Sequence, residues 1–364
     1  MKKRHLPLKI ILGLLALLLA AAAGYVIYVF AAYYRVEDHP ALEVVSMNGA
    51  DHGEPAVGTQ YRIASYNIGF GAYSNDYSFF MDGGKESRAR SPEAVKENVS
   101  GAMETVGAIA PQILLLQEVD VDGTRSWHIN ELEDIVDNNS YGLFVNRTFA
   151  QNYDSPYLFW PLLEPHGANR AGQVTCSAFP IASAVRRQLP IEGGFMKLVD
   201  CDRCYSVQRI PLQGDAGELV VYNLHLSAYT SDGTIAEEQL EMLFADMLAE
   251  YEGGNYAIAG GDFNKDLLGS SAEIFGVSGP AYTWAQPIPA KLVPEGLTIV
   301  APFDPEKPAA SCRNADRAYG PDNYRVTVDG FIVSANVDVR KADVWETGYR
   351  WSDHNPVYMD FVLR

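Results

Sequence analysis

From Tyr61 onward the chain is punctuated by short runs of β-branched, aromatic and aliphatic residues: YRIASYN, QILLLQEV, YGLFVN, SVQRIPL, ELVVYNLHL, NYAIAGGDF, VTVDGFIVS and NPVYMDFVL. Several are apolar on both faces, which a strand tolerates only when its sheet is covered on both sides. Two helical stretches lie between them. SPEAVKENVSGAMETVGAIA has Ser91 placed as a cap and Pro92 at its first position, and GTIAEEQLEMLFADMLAEY carries Leu240, Leu243, Phe244, Met247 and Leu248 along one face. Loose alternation of strand and helix predicts a mixed α/β (α+β) class, and no break in composition divides residues 61–364, which predicts one domain. The proline-rich stretches QPIPAKLVPEG and APFDPEKPAA predict a long surface excursion before the final strands.

The first 34 residues are different in kind. Lys2, Lys3, Arg4 and Lys9 precede an uncharged run from Ile10 to Tyr34, 25 residues or roughly 37 Å as a helix, enough to span a bilayer. The positive-inside rule then places residues 1–9 in the cytoplasm, 10–34 in the membrane and everything downstream outside the cell. Cleavage as a signal peptide is the alternative, because LAAAAGY offers small residues at Ala21 and Ala23, and would give a secreted protein. The run continues past that point as YVIYVFAAYY, which favours an uncleaved anchor. Residues 35–60, with Pro40, Asn48, Gly49, Gly53, Pro55 and Gly58, read as a tether or an irregular lead-in.

Four of the 28 Lys and Arg residues precede the apolar run, which leaves 24 against 46 acidic residues beyond it, a net charge of −22. Such a balance argues against a broad basic surface for nucleic acid, though not against a nuclease whose affinity is local and metal-assisted. Cys176, Cys201, Cys204 and Cys312 would face an oxidising compartment, where three full disulfide pairings are open. CDRC has no second pair at zinc spacing and runs into a strand rather than a helix, so neither a zinc site nor a redox motif is expected.

Polar residues recur at the C-terminal ends of the apolar runs, where a chain leaving a sheet aims side chains into a shared crevice. Asn67 ends IASYN, Glu118 ends ILLLQE, His225 falls in VYNLHL, Asp262 and Asn264 follow YAIAGG, Asp329 sits in VTVDGF, and Asp353 and His354 open the last run. Each alone has an ordinary explanation as a turn former, a salt-bridged edge or a core histidine. Together they supply carboxylates, amide carbonyls and two imidazoles without a cysteine, a donor set suited to Mg²⁺ or Mn²⁺ rather than Zn²⁺. Imidazoles beside such a metal suit hydrolysis of a phosphate ester. Asp262 would orient or deprotonate water, Asn264 would hold the phosphate or that water, and Asp329 would fix the tautomer of His354.

SYNIG, LLLQEVD, NLHLSA, GGDFN, VDGFIVS and SDHNPV, in this order and at these intervals, resemble the endonuclease/exonuclease/phosphatase superfamily. AGQVTCSAFPI also resembles a strand of that family, departing at Thr175 and Ala178. The resemblance implies a four-layer α/β/β/α sandwich of two mainly antiparallel sheets with the site at one edge between them. It further implies that Glu118, helped by Asn67, binds a catalytic Mg²⁺ with Asp353 near it or near a second ion. His225 would stabilise the pentavalent phosphorus, Asp262 and Asn264 would activate and place water, and Asp329 would orient His354. Whether Asp262 or His354 is the base stays open.

For the substrate, Arg125 and His128 just past Glu118, Tyr153 in NYDSPY, and Arg170 before a strand are the candidate contacts, Tyr153 resembling a phosphate-contacting tyrosine of the family. A tethered enzyme facing outward favours phospholipid headgroups or other small phosphodiesters. An extracellular DNase I-like endonuclease and a surface binding protein without turnover are the rivals. The protein is expected to act as a monomer, with the membrane as its partner through the N-terminal helix.

Overall fold

Two parallel strand pairs, each closed by a crossover helix, set the architecture. The computed structural model describes residues 6–139, 142–198, 200–228, 234–278 and 284–364. In chain order its strands are β1 (Val45–Ser46), β2 (Gln60–Asn67), β3 (Ile113–Gly123), β4 (Asn146–Asp154), β5 (Asn169–Ser177), β6 (Ser183–Gln188), β7 (Cys204–Pro211), β8 (Glu218–His225), β9 (Tyr256–Asp262), β10 (Leu297–Val300), β11 (Cys312–Arg313), β12 (Arg325–Val326), β13 (Asp329–Ser334), β14 (Val337–Val344) and β15 (Val357–Leu363). Its helices are α1 (Leu6–Ala32), α2 (Pro92–Ile109), α3 (Glu131–Asp137), α4 (Thr234–Glu252) and α5 (Ser271–Phe275). Among the described residues they build a seven-stranded sheet in the order β1-β4-β5-β3-β2-β15-β14, a six-stranded sheet in the order β10-β13-β9-β8-β7-β6, and a ribbon of β11 and β12.

β2 with β3, and β8 with β9, are the parallel pairs, and the other neighbours in both large sheets are antiparallel. Parallel neighbours need a long return, which α2 and α4 supply. The cap expected for α2 forms, with Ser91 Oγ accepting from the Ala94 N–H at 3.1 Å. The helix ends where Ala110 turns left-handed just before Pro111.

Strand alternation sorts the apolar residues into three interfaces and so into four layers. On β2 and β3, Ala64, Tyr66, Leu114 and Leu116 face α2 and α3, whereas Ile63, Ile113 and Leu115 face the other sheet. On β8 and β9, Leu219, Val221 and Ile258 meet them from the opposite side, and Val220, Tyr222, Leu224, Ala257 and Ala259 pack on α4. This is the predicted helix–sheet–sheet–helix sandwich, with strands covered on both faces.

Some details depart from expectation. Among the described residues of YGLFVN only Asn146 belongs to a strand, because Phe144 and Val145 precede β4, which runs on through the more polar RTFAQNYD, and Tyr141 lies outside the described residues. The proline-rich excursion contains β10, an edge strand that pairs with β13. Residues 36–59 lie along the domain rather than hanging free: Leu42 and Val44 pack into the inter-sheet core, and β1 pairs with β4. All four cysteines are free thiols, so none of the disulfide pairings is present. α1 is a helix long and apolar enough to cross a membrane.

Candidate active site

Strand direction brings the polar residues to one edge. β2 and β3 run parallel, so Asn67 and Glu118 emerge together, Asn67 lying opposite Gln117. A bulge between Leu116 and Val119 disturbs the ladder with β5, and Glu118 holds a positive φ of 55°. A left-handed glutamate is an uncommon backbone state, maintained here by the surrounding sheet, and it turns the carboxylate out of the sheet's alternation. In the other sheet His225 pairs with Asp262 across the parallel β8–β9 ladder, and antiparallel β13 sets Asp329 opposite Asp262 as well. Gly261 makes this approach possible: at φ +147° a Cβ there would sit 2.0 Å from the Leu224 carbonyl oxygen.

The turn before β15 adds the last two groups. Ser352 Oγ donates to the Asn67 carbonyl at 2.7 Å and accepts from the His354 N–H at 3.1 Å. Asn355 braces the turn, accepting from Thr347 N at 2.9 Å and donating to the Ala310 carbonyl at 3.0 Å. The SDHNP stretch is therefore a turn built to deliver Asp353 and His354.

The side chains interlock across the two sheets. Asn67 Nδ2 lies 3.2 Å from Glu118 Oε1 and 3.1 Å from Asp262 Oδ2, while its Oδ1 accepts from the Gly69 N–H at 3.0 Å. In this geometry Asn67 aligns two carboxylates, its oxygen being engaged by the backbone. The Asn264 N–H donates to Asp262 Oδ1 at 2.8 Å. His225 Nε2 is 3.5 Å from Asp262 Oδ2. His354 Nδ1 is 2.7 Å from Asp329 Oδ2, with Nε2 turned toward Asp262 at 3.9 Å.

Burial and charge separate the two imidazoles. Burial, with Arg203 and His354 adding to it, pushes His225 well below its ordinary pKa, so it is neutral. Burial also opposes charge on His354, but Asp329 and Cys312 together outweigh it and hold that imidazole well above its ordinary value. Asp262 is raised by burial and then by Asp329, and Asp353 is raised to about 6 by burial and by its neighbour Glu118.

A divalent cation fits this donor set. Glu118 and Asp353 are repelling carboxylates at the edge of the cleft, and a positive ion beside them would reverse the upward shift of Asp353. Asp262, Asp329 and His354 also place ligand atoms within 4.8 Å of one another. The 2.7 Å contact between His354 Nδ1 and Asp329 is a hydrogen bond, which leaves Nε2, turned toward Asp262, as the free nitrogen of that ring. Glu118 and Asp353 could hold such a cation, and Asp329 and His354 form a hydrogen-bonded dyad.

Glu118, His225, Asp262, Asp353 and His354 line a cleft of about 1370 Å³ together with Arg125, Tyr153, Asn264, Lys265 and Arg203. Of the four candidate substrate contacts, Arg125 and Tyr153 face it, Arg125 being paired with Asp120 at 2.7 Å beneath the Phe70 and Tyr153 rings. His128 and Arg170 do not: both stand in solvent and share Asp122, at 2.7 Å and 3.1 Å. Sequence reasoning missed Arg203, which lies inside the CDRC stretch and drew attention only to its cysteines. β7 is antiparallel to β8, so the start of β7 falls beside the end of β8 and brings Arg203 to His225. Its Nε and Nη1 are buried with no hydrogen-bond partner among the described residues.

A model of the endonuclease/exonuclease/phosphatase family matches residues 64–354. Among solved structures, an endonuclease/exonuclease/phosphatase from Beutenbergia cavernae is similar at 18% identity, covering 84% of this chain and 72% of its own, with a TM-score of 0.57. ANGEL2, a 2′,3′-cyclic phosphatase, is similar at 15% identity over 88% of this chain and 98% of its own, with a TM-score of 0.53. The human Nocturnin catalytic domain is similar at 16% identity over 89% and 98%, with a TM-score of 0.50. No curated protein matches the chain in sequence.

Proposed function

Because this chain belongs to the endonuclease/exonuclease/phosphatase family, whose members hydrolyse phosphoester bonds, we propose that it is a Mg²⁺- or Mn²⁺-dependent phosphodiesterase. The observation that carries this reading is the Asp329–His354 dyad facing Asp262, beside Glu118 and Asp353, in one cleft. A cation held by Glu118 and Asp353 supplies charge neutralisation at the phosphate. Neutral His225 donates a hydrogen bond to a phosphate oxygen on which negative charge builds. Asp262, held by the Asn264 N–H and Asn67, orients the attacking water and removes one proton, and His354, kept protonated beside Asp329, is placed to give one to the leaving oxygen. The water oxygen bonds to phosphorus, one ester P–O bond breaks, and the leaving alkoxide takes up a proton. Arg203 and Arg125 supply the positive charge that holds a diester in place.

The substrate in this reading is a phospholipid headgroup or another small phosphodiester, met outside the membrane by a protein anchored through α1. The −22 balance beyond the apolar run weighs against a DNA polyanion, although arginines in the cleft would suit a short strand. The test is hydrolysis of bis-p-nitrophenyl phosphate with Mg²⁺ or Mn²⁺, beside Glu118→Ala and His225→Ala. Metal-dependent turnover, abolished in both variants, is expected. A folded wild-type protein inert with either metal would sink the enzyme reading, and plasmid nicking far faster than any small-diester turnover would move it to a nuclease.

A further inference from the structure

Phe159, Trp160, Leu162, Leu163 and Phe195 stand out from the domain with 50%, 65%, 73%, 102% and 78% of their surface exposed. A soluble surface rarely gathers five large apolar side chains, and such patches mark contact with another apolar body. Their position says which body. α1 lies against two of them and the start of their loop: the Tyr25 and Phe159 rings are 4.7 Å apart, Phe30 meets Phe195 edge-on at 6.2 Å, Tyr25 Oη donates to the Tyr157 carbonyl at 3.0 Å, and the Tyr157 N–H donates to Tyr28 Oη at 3.0 Å. The outer end of the helix is fixed rather than free, since Arg35 Nε pairs with Asp202 at 2.6 Å and Arg35 Nη2 donates to the Leu189 carbonyl at 2.8 Å.

Helix geometry gives the depth. Leu8–Ala32 spans 25 residues, roughly 37 Å against a hydrocarbon core of about 30 Å, so only about 4 Å at each end protrudes. Tyr25 stands seven residues before Ala32, roughly 10 Å down the axis, and so lies below the outer hydrocarbon boundary. The loop packed on it is carried to the depth at which interfacial apolar segments rest.

The same loop is a wall of the catalytic cleft. Tyr25, Leu158, Phe159 and Trp160 line it together with Glu118, His225, Asp262 and His354. We infer that residues 157–163 and Phe195 form an apolar rim seated in the outer leaflet, which opens the cleft onto the bilayer, so that the diester it receives is the headgroup of a membrane-resident zwitterionic lipid. This rests on the phosphodiesterase reading and narrows its substrate. The strongly negative domain selects a neutral or zwitterionic surface over an anionic one, and the seated rim lets the headgroup reach the cleft while its acyl chains stay in the leaflet.

The test uses the full-length protein reconstituted in vesicles of phosphatidylcholine, phosphatidylethanolamine and sphingomyelin. Leu162→Ser, Leu163→Ser and Phe195→Ser, combined, leave every cleft-lining residue in place. We expect headgroup release from vesicles to fall by about tenfold or more, with bis-p-nitrophenyl phosphate hydrolysis within about twofold of wild type. In parallel, the emission of Trp160, taken as the difference between wild type and Trp160→Phe, is expected to be quenched by brominated phosphatidylcholine. Absent quenching, absent headgroup release by an enzyme active on the soluble diester, or equal release by wild type and triple variant each overturns the inference while leaving the phosphodiesterase reading intact. Absent quenching in a protein that runs as a dimer in detergent assigns the patch to a second copy. If the soluble diester is not hydrolysed, the phosphodiesterase reading falls, and quenching still decides whether the rim meets lipid.

Discussion

Replacing Asp329 by asparagine removes one negative charge from the site while keeping its shape. In the folded protein His354 Nδ1 lies 2.7 Å from Asp329 Oδ2, and the two residues are 6% and 0% exposed, so solvent screens the contact little. A hydrogen bond to a charged group contributes about 1.5–3 kcal/mol. The asparagine keeps a neutral bond of about 0.5–1.5 kcal/mol, so the difference is about 1–1.5 kcal/mol, which at about 1.36 kcal/mol per factor of ten is a loss of about 5- to 13-fold in kcat. The asparagine oxygen still accepts from Nδ1–H, so the loss comes from charge rather than from a misplaced ring. A second effect has a definite sign. Asp329 holds the His354 pKa up against burial, so its removal moves the limb of the kcat/KM profile governed by His354 to lower pH. The assay is hydrolysis of bis-p-nitrophenyl phosphate at saturating Mg²⁺ across pH 5–10, with thermal unfolding as the folding control. A folded Asp329→Asn protein with wild-type kcat and an unmoved profile would refute the dyad, because a purely structural aspartate predicts no shift.

Arg203→Ala should raise KM for the diester by about 10- to 100-fold with a smaller change in kcat, because its unpartnered Nε and Nη1 await an anion; an unchanged KM would remove it from the site. Gly261→Ala should destabilise the fold by more than about 2 kcal/mol in urea unfolding, since a Cβ would meet the Leu224 carbonyl at 2.0 Å, and wild-type stability would contradict that packing. His166 is buried, its Nδ1–H donating to the Ser87 carbonyl at 2.8 Å, and burial, with Arg125 adding to it, lowers its pKa to about 3. The unfolded chain therefore binds more protons, so this contribution is complete above the ordinary histidine pKa of about 6.5 and is lost as pH falls toward about 3, at up to about 1.4 kcal/mol per pH unit. His166→Gln should flatten that part of the stability–pH curve, as followed by denaturant midpoints.

Periodicity and turn chemistry made the mixed α/β class and the double covering of the strands legible in advance, while the four-layer order was what the family resemblance implied. Runs such as ILLLQ and LVVYN are apolar at both alternating sets of positions, and a strand of that kind has to be covered twice. The Ser91 cap and the helical face of α4 are local signals of the same kind, and so was the recurrence of polar residues at strand ends. What the chain could not disclose locally was register. His225, Asp262 and Asp329 meet because one parallel and one antiparallel ladder align them, and a slip of one residue would turn each to the opposite face. The left-handed Glu118, the arrival of Arg203 beside His225 and the withdrawal of His128 and Arg170 to Asp122 are decided the same way, by pairings between segments far apart in the chain. The apolar rim is the extreme case: Phe159 and Phe195 are unremarkable loop residues in sequence, and only the packing of α1 against them joins the cleft to a candidate membrane surface. Local composition thus determined which residue types stand at the ends of strands and which strands lie inside, because propensity and burial act on neighbours along the chain. Tertiary structure decided which of those residues face one another, because strand register and helix docking are set by contacts that no short stretch contains.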